Sequence, residues 1–239
     1  MIPKIIHYCW FGGNEKPKKI EKCIETWKRV LTDYEFMEWN ETNFDVTKLK
    51  YTQDALNARK YAFVSDVARV KALYEYGGIY MDTDVIVHKT FDSILDNACV
   101  LGFEQDDYVA TSFMACEKHH SLMKEFYDLY VDLDFYDKDG TIIQGTNVAK
   151  LTKMLEGKGL NRNNEFQMLG DIAIYPQEYF SPYDYGNCVK QNTANTICEH
   201  LFFVSWMPMK TRVFKMIKKV LVKIIGRNGI ITLRKWFKK

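Results

Sequence analysis

Two aspartates one residue apart, Asp82 and Asp84, sit in the stretch Ile79-Tyr-Met-Asp-Thr-Asp-Val-Ile-Val87. In an extended chain alternate side chains point the same way, so both carboxylates can face one hard divalent cation, directly or through water. Two carboxylates alone make a weak site for Mg²⁺ or Mn²⁺, which completes its shell with substrate phosphate oxygens. A diphosphate supplies such oxygens. The alternative is a polar turn at a strand end. Context favours chemistry: an apolar run leads into the pair, and ligands of open α/β sheets bind at the C-terminal ends of strands.

The flanking pattern shows which elements must hold that pair. Residues 4–11 read as a buried strand ended by Gly12-Gly13. From Pro17 to Leu31 the apolar residues Ile20, Ile24, Trp27 and Leu31 recur at helical spacing. Tyr34–Trp39 reads as the next strand, and strand–helix–strand at this spacing predicts a parallel α/β sheet. Ala62–Tyr76 reads as a second helix, with Gly77-Gly78 releasing the chain from it. On that helix Asp66 and Arg69 are three apart and share a face. Ile79–Val87 follows as one β-rich run, with further strands over 98–103 and 109–115 and a helix over Ser121–Leu133. His119-His120 reads as a surface turn. From Asp134 to Asn195 the pattern weakens, with turn signals at Asp139-Gly140 and Ser181-Pro182.

The 239 residues are 47% hydrophobic, 27% charged and 15% aromatic, the balance of a globular chain with a sizeable core and rings to spare for ligand stacking. Six scattered cysteines form no CxxC pair, which argues against a zinc site or redox motif and for reduced thiols. No signal peptide and no apolar run of about 18–20 residues stands out, so the expected location is cytoplasmic. Charge is unevenly spread. Eleven Lys or Arg and no acid follow Met209, leaving 22 basic residues against 31 acids in the body, a net of −9. Two regions are therefore expected, a catalytic body over 1–208 and a basic tail over 209–239. Within the tail, Thr211–Ile225 is amphipathic, with Val213, Ile217, Val220, Leu221, Ile224 and Ile225 on one face and lysines off it. Such a segment suits the anionic surface of a membrane, peripherally on its inner face; its alternative is to pack on the acidic body. With a negative body and no recognition motif, nucleic acid is not an expected partner.

Four ordered blocks carry a family resemblance. They are Ile2-Pro3-Lys4-Ile5-Ile6-His7-x-x-Trp10-x-Gly12, then Ser65-Asp66-x-x-Arg69, then Leu73-Tyr74-x-x-Gly77-Gly78-Ile79-Tyr80-x-Asp82-x-Asp84, and finally His200-x-x-x-x-Ser205-Trp206. Together, across residues 1–206, they resemble the DXD-containing sugar transferases of glycosyltransferase family 32. They are also similar to the catalytic domains of clostridial glucosylating toxins. The resemblance implies a GT-A-type fold, a Rossmann-like mixed sheet flanked by helices. It implies a retaining, metal-dependent hexosyltransferase that uses a nucleotide sugar, UDP-hexose by expectation. Asp82 and Asp84 would hold Mn²⁺ or Mg²⁺, with His200 as third ligand and Glu199 or Ser205 as substitutes. Trp10 would stack on the base, and Asp66 and Arg69 would bind sugar hydroxyls. Ser65 and Tyr80 would stand beside the sugar or phosphate, and Trp206, with Ser205, would lie near the β-phosphate. His7, inside the strand, reads as structural. Gln144-Gly145-Thr146-Asn147 falls where relatives carry a Gly-Pro loop near the sugars, but lacks the proline. A saccharide acceptor, lipid-linked in capsule or cell-surface polysaccharide synthesis, would fit a membrane-seeking tail.

Two rival functions share these features. A phosphatase of the haloacid dehalogenase kind also places Asp-x-Asp after an apolar strand, though it continues with Thr or Val where this chain has Ile86. A catalytically inert adaptor held on a membrane by the tail is the other.

Overall fold

The computed structural model describes residues 1–143, 145–184 and 189–203. In chain order the elements are β1 (Ile5–Cys9), α1 (Lys18–Val30), β2 (Glu35–Trp39), α2 (Lys50–Asn57), α3 (Tyr61–Tyr76), β3 (Gly78–Met81), β4 (Val85–Val87), β5 (Cys99–Gly102) and β6 (Phe113–Cys116). They continue with α4 (Ser121–Asp128), α5 (Asn147–Glu156), β7 (Gln167–Leu169), β8 (Ile172–Tyr175), α6 (Gln177–Phe180), β9 (Tyr183–Asp184), β10 (Val189–Lys190) and β11 (Cys198–His200). Seven strands form one mixed sheet in the order β2-β1-β3-β6-β5-β8-β7. β1 runs parallel to β2 and β3, and β5 to β8, while β6 pairs antiparallel with both β3 and β5. The C-terminal ends of β1, β3 and β5 therefore lie along one edge, with the start of β6 between the last two.

Each face of the sheet is covered by its own apolar layer. On one, Val64, Val67 and Leu73 of α3 pack with Leu122 and Phe126 of α4, Leu151 of α5 and Leu101 of β5. On the other, Ile20, Ile24 and Trp27 of α1 pack with Ile79, Phe91, Phe113 and Phe180. α1 forms because its apolar residues recur at helical spacing and its last turn carries Lys28 and Arg29, which suit the negative end of the helix dipole. Its Trp27 also donates from Nε1 to the Val85 carbonyl at 2.7 Å, fixing the strand that follows the two aspartates.

The corner between α3 and β3 sets the height of the pair. Gly77 ends α3 at φ +68°, and Gly78 enters β3 at φ +102°. A Cβ on Gly78 would stand 2.6 Å from the Ile5 carbonyl oxygen, so no side chain fits. His7 braces the same corner from β1. Its Nε2 lies 2.8 Å from the Gly77 carbonyl, to which it donates, and its Nδ1 accepts from Trp39 Nε1 at 3.1 Å. Making both at once needs the neutral ring, since only an unprotonated Nδ1 accepts, and burial pushes its pKa down to about 4 although the Gly77 bond opposes this.

Several elements differ from the sequence-based expectation. The run 79–87 is not one strand but two, β3 and β4, split by a turn at the aspartates. The strand expected over 109–115 is shorter, Phe113–Cys116, because Val109 pairs back onto Phe103 and Arg69 captures the Thr111 carbonyl. The helix expected to Leu133 stops at Asp128. His120 is not on a surface turn: it is buried and caps α4, its Nδ1 accepting from the Leu122 N–H at 3.2 Å. Between 134 and 195 a ten-residue helix and several strands of two to four residues appear, too short to impose a period on the sequence. The amphipathic tail lies outside the described residues.

Replacing His7 by Leu should leave the Gly77 carbonyl and the Trp39 N–H unpaired. Each buried orphan costs about 1–3 kcal/mol, and the expected readout is a melting point lower by about 2–4 °C per kcal/mol in a chain of this size. In the parent, an unfolded His7 takes a proton near pH 6.5 and the folded one only near 4, so stability contributed by its neutral form is lost as pH falls through that window. The variant's melting curve should lack this share of the acid dependence.

Candidate functional site

The two aspartates are presented by a tight turn at the end of β3, not by strand alternation. The Asp82 N–H donates to the Ser112 carbonyl at 2.9 Å, and the Val85 N–H closes back on the Asp82 carbonyl at 3.1 Å. Tyr80, the last-but-one residue of β3, donates from its hydroxyl to Asp82 Oδ1 at 2.8 Å.

From one side comes the first half of α3. Arg69 is almost wholly buried, and a buried guanidinium must be paired. Its Nη2 lies 3.0 Å from Asp66 Oδ1 and its Nη1 3.3 Å from Asp82 Oδ1. Nη1 also donates to the Thr111 carbonyl at 2.8 Å, and the guanidinium lies 4.6 Å from the centre of the Tyr80 ring. Asp66 has a further partner. Asn147, the first residue of α5, donates from Nδ2 to the same Oδ1 at 2.6 Å. Thr146 caps α5 by accepting from the Ala149 N–H, which fixes where Asn147 points. With Oδ1 doubly engaged, Oδ2 of Asp66 remains to accept hydroxyl groups. Burial pushes the Asp66 carboxyl up to about 7 against the pull of Arg69.

From the other side comes β11, antiparallel to β4 with His200 opposite Val85. His200 Nε2 is 3.2 Å from Asp84 Oδ1 and 4.0 Å from Asp82 Oδ2. The chain then stays fastened to Asp84: the Leu201 N–H donates to its carbonyl at 3.0 Å and the Phe203 N–H to Oδ2 at 2.8 Å. Phe202 takes a left-handed backbone (φ 51°) and lays its ring 3.9 Å from that of His200. Burial alone would raise the Asp84 carboxyl, yet the charge and hydrogen bond of His200 and the Phe203 N–H hold it below the usual range. Burial alone would lower His200; the Asp84 charge and hydrogen bond outweigh it and raise the imidazole to about 9.

One ligand atom each from Asp82, Asp84 and His200 lies within 4.8 Å of the others. His200 Nδ1 is buried without a hydrogen-bond partner among the described residues. Two carboxylates and an imidazole converging at this distance fit a divalent cation, and the nitrogen favours Mn²⁺ over Mg²⁺. Glu199, the alternative third ligand, points to the opposite side of β11, as alternation requires. Its carboxylate pairs there with Lys190 at 2.7 Å and accepts from Asn192 at 3.1 Å.

The remaining expected residues are spread along the edge. Trp10 follows β1, half-buried, with Nε1 donating to the Asn14 carbonyl at 2.6 Å and the Lys16 ammonium 5.6 Å from its ring centre. Ser65 is on α3, but its hydroxyl is spent on the Tyr61 carbonyl. Ser205, Trp206 and Gln144 lie outside the described residues. Sequence reasoning gave Asn147 little weight for want of the family's proline, and passed over Glu104 and Lys150. Glu104 follows β5, and its carboxyl is pushed up to about 7 by burial. Lys150, half-buried, stacks 5.7 Å over Tyr130, and burial pulls its ammonium down although Asp66 opposes this. Neither sits in a motif; only the turn from β5 and the pitch of α5 bring them here.

Comparison with known proteins accords with this geometry. Residues 17–101 match the family described as "Glycosyltransferase sugar-binding region containing DXD motif". That stretch holds Asp66, Arg69, Tyr80, Asp82 and Asp84. The architecture is that of GT-A glycosyltransferases. PaToxG glycosyltransferase superposes with a TM-score of 0.50 at 21% identity, over 66% of this chain and 69% of that one. The apo form of the glycosyltransferase GlyE of Streptococcus pneumoniae TIGR4 gives 0.52 at 10% identity, over 99% of this chain and 63% of that one. Among curated relatives, inositol phosphoceramide mannosyltransferase 3 of Schizosaccharomyces pombe is 29% identical over 126 residues, 51% of this chain and 35% of its own length. Human lactosylceramide 4-alpha-galactosyltransferase is 34% identical over 71 residues, 28% of this chain and 19% of its own. An uncharacterized glycosyltransferase of Acanthamoeba polyphaga mimivirus is 24% identical over 225 residues, 87% of this chain and 85% of its own. The chain spans about a third to under half the length of the two fission-yeast mannosyltransferases it matches.

A cation entering the three-residue cluster must take the place of the proton that His200 carries below pH 9. Calorimetric titration with Mn²⁺ at pH 7.5, in two buffers of different ionisation enthalpy, should register release of about one proton per ion. In His200→Ala the release should disappear and the affinity should fall.

Proposed function

We propose that this protein is a metal-dependent glycosyltransferase that moves a hexose from a nucleotide sugar, a UDP-hexose, to a saccharide acceptor with retention of configuration. The observation that carries this reading is the convergence of Asp82, Asp84 and His200 beside the buried Asp66–Arg69 pair, the four aspartate and arginine positions falling within the matched DXD sugar-binding region. The phosphatase alternative loses its support, since both aspartates fall inside that region.

Asp82, Asp84 and His200 would hold Mn²⁺ or Mg²⁺, which when bound neutralises charge on the departing diphosphate. The free oxygen of Asp66 accepts hydroxyl hydrogens of the sugar. Asn147 and Arg69 keep that carboxylate in one rotamer, so the pyranose is met by a fixed acceptor. Arg69 itself is committed to Asp66, Asp82 and Thr111, and its work is to lock the sugar-binding side chain to the turn of the pair. Trp10, at the end of β1, offers an aromatic surface for the base. In this reading Trp206 donates its indole N–H to the β-phosphate and Ser205 lies beside it. No side chain is assigned as a covalent nucleophile, which suits a front-face reaction in which the acceptor enters on the side of the leaving phosphate.

The acceptor in this reading is lipid-linked, in cell-surface polysaccharide synthesis. Relatives named for inositol phosphoceramide and lactosylceramide support a lipid-borne acceptor. The basic amphipathic tail would then hold the body on the cytoplasmic face of a membrane through anionic headgroups.

A thermal-shift panel of nucleotide sugars with and without Mn²⁺ should pick out a UDP-hexose only when the metal is present. Hydrolysis of that donor should fall at least a hundredfold in Asp84→Ala; unchanged hydrolysis would remove the metal assignment. Asn147→Ala should raise KM for the donor about three- to tenfold while Mn²⁺ affinity stays as in the parent, measured by initial rates and calorimetry.

A further inference from the structure

Electrostatically, the site has two arms that meet at Asp82. On one arm Asp66 feels Arg69, Asp82 and Lys150. On the other, His200 feels Asp84, Asp82 and Glu104. Glu104 has no place in the chemistry described so far. It stands just past the end of β5, on the same sheet edge as Asp82 and separated from β3 by the single strand β6. Its backbone is fixed: the N–H donates to the Tyr108 carbonyl at 2.7 Å, and Phe103 before it is wholly buried. Its carboxylate is partly buried and makes no hydrogen bond or ion pair among the described residues. It also lies outside the cluster of three ligand atoms.

A partly buried carboxylate on a fixed backbone, with no partner among the described residues, is a hydrogen-bond acceptor awaiting a donor. Its position says which donor. In a front-face transfer the incoming hydroxyl approaches on the side of the departing diphosphate. That is the Asp82–His200 side, where Glu104 stands, and not the Asp66 side, where the donor sugar is gripped. Resting on the transferase reading above, we propose that Glu104 is the acceptor-binding residue: its carboxylate accepts the hydrogen bond of the attacking hydroxyl and aims the oxygen lone pair at the anomeric carbon, whose bond to the diphosphate oxygen breaks with its electron pair as the new bond forms, the hydroxyl proton passing by way of Glu104 to the departing diphosphate. Water occupies the same place when the donor is hydrolysed.

The test uses the full chain, Mn²⁺ and the UDP-hexose selected by thermal shift, with Glu104→Ala and Glu104→Gln. Both variants should melt as the parent does, because the side chain has no partner to lose. In Glu104→Ala the kcat of donor hydrolysis should fall at least tenfold while Kd for Mn²⁺ and for the UDP-hexose stays within threefold. Glu104→Gln should recover part of the rate, since its amide oxygen still accepts. Unchanged kcat in Glu104→Ala would overturn the proposal. So would a tenfold loss of Mn²⁺ affinity, which would make Glu104 part of the metal shell, or a glycosyl adduct on Glu104 by mass spectrometry, which would make it a nucleophile. A parent that neither binds nor hydrolyses any nucleotide sugar would refute the transferase reading itself, an outcome distinct from an active parent matched by its variants.

Discussion

A single guanidinium holds the site together. Arg69 is buried between Asp66 and Asp82, and a charge in that position is tolerable only while both carboxylates stay where they are. Removing one partner of such a buried set typically costs about 3–5 kcal/mol. Because Asp66 belongs to α3 and Asp82 to the turn after β3, the pairing ties a helix to a loop across sixteen positions of chain. The carbonyl of Thr111 adds the approach to β6 to the same knot. The groups proposed to meet the sugar and the ion thus share one frame.

The second constraint acts at the opposite end of the turn. Asp84 is claimed by the His200 side chain, by the Phe203 N–H and, through its carbonyl, by the Leu201 N–H. A residue near position 80 and a segment near position 200 are thereby made one structure. The brace behind them is neutral: His7 joins Gly77 to Trp39 without a charge. The buried ionic groups of the site gather at the sheet edge, where burial and mutual attraction tune them, while the layers beneath are apolar.

Much of this was legible before any coordinates. β1, α1, β2 and α3 follow from apolar spacing, and Asp66 with Arg69 follows from helical pitch. The ends of those elements agree with the sequence reading to within one or two residues. What failed was the geometry of the pair itself. Strand alternation predicted that Asp82 and Asp84 face one way, whereas a hydrogen bond to the Ser112 carbonyl and one from the Val85 N–H impose a turn that brings them together by another route. Such a turn depends on a partner strand thirty residues away, which no local pattern encodes. Asn147 and Glu104 were hard to see for the same reason: each is an ordinary polar residue until the fold sets one on Asp66 and the other at the sheet edge of Asp82. The region 134–195 was opaque because strands of two to four residues carry no period.

Asn147 reaches Asp66 from the first turn of α5, an element outside the matched region and joined to the sheet by surface loops. Two elements distant in the chain therefore meet at one carboxylate oxygen. The turn of the two aspartates is held by crowded glycines and a buried arginine. The first turn of α5 is more exposed, while its later turns are anchored by Leu151 in the core and by the Thr152 hydroxyl, which accepts from the Val109 N–H at 3.0 Å. On the proposed transferase function, the first turn of α5 is therefore where a preference among hexoses would be set while the turn of the two aspartates stays as it is.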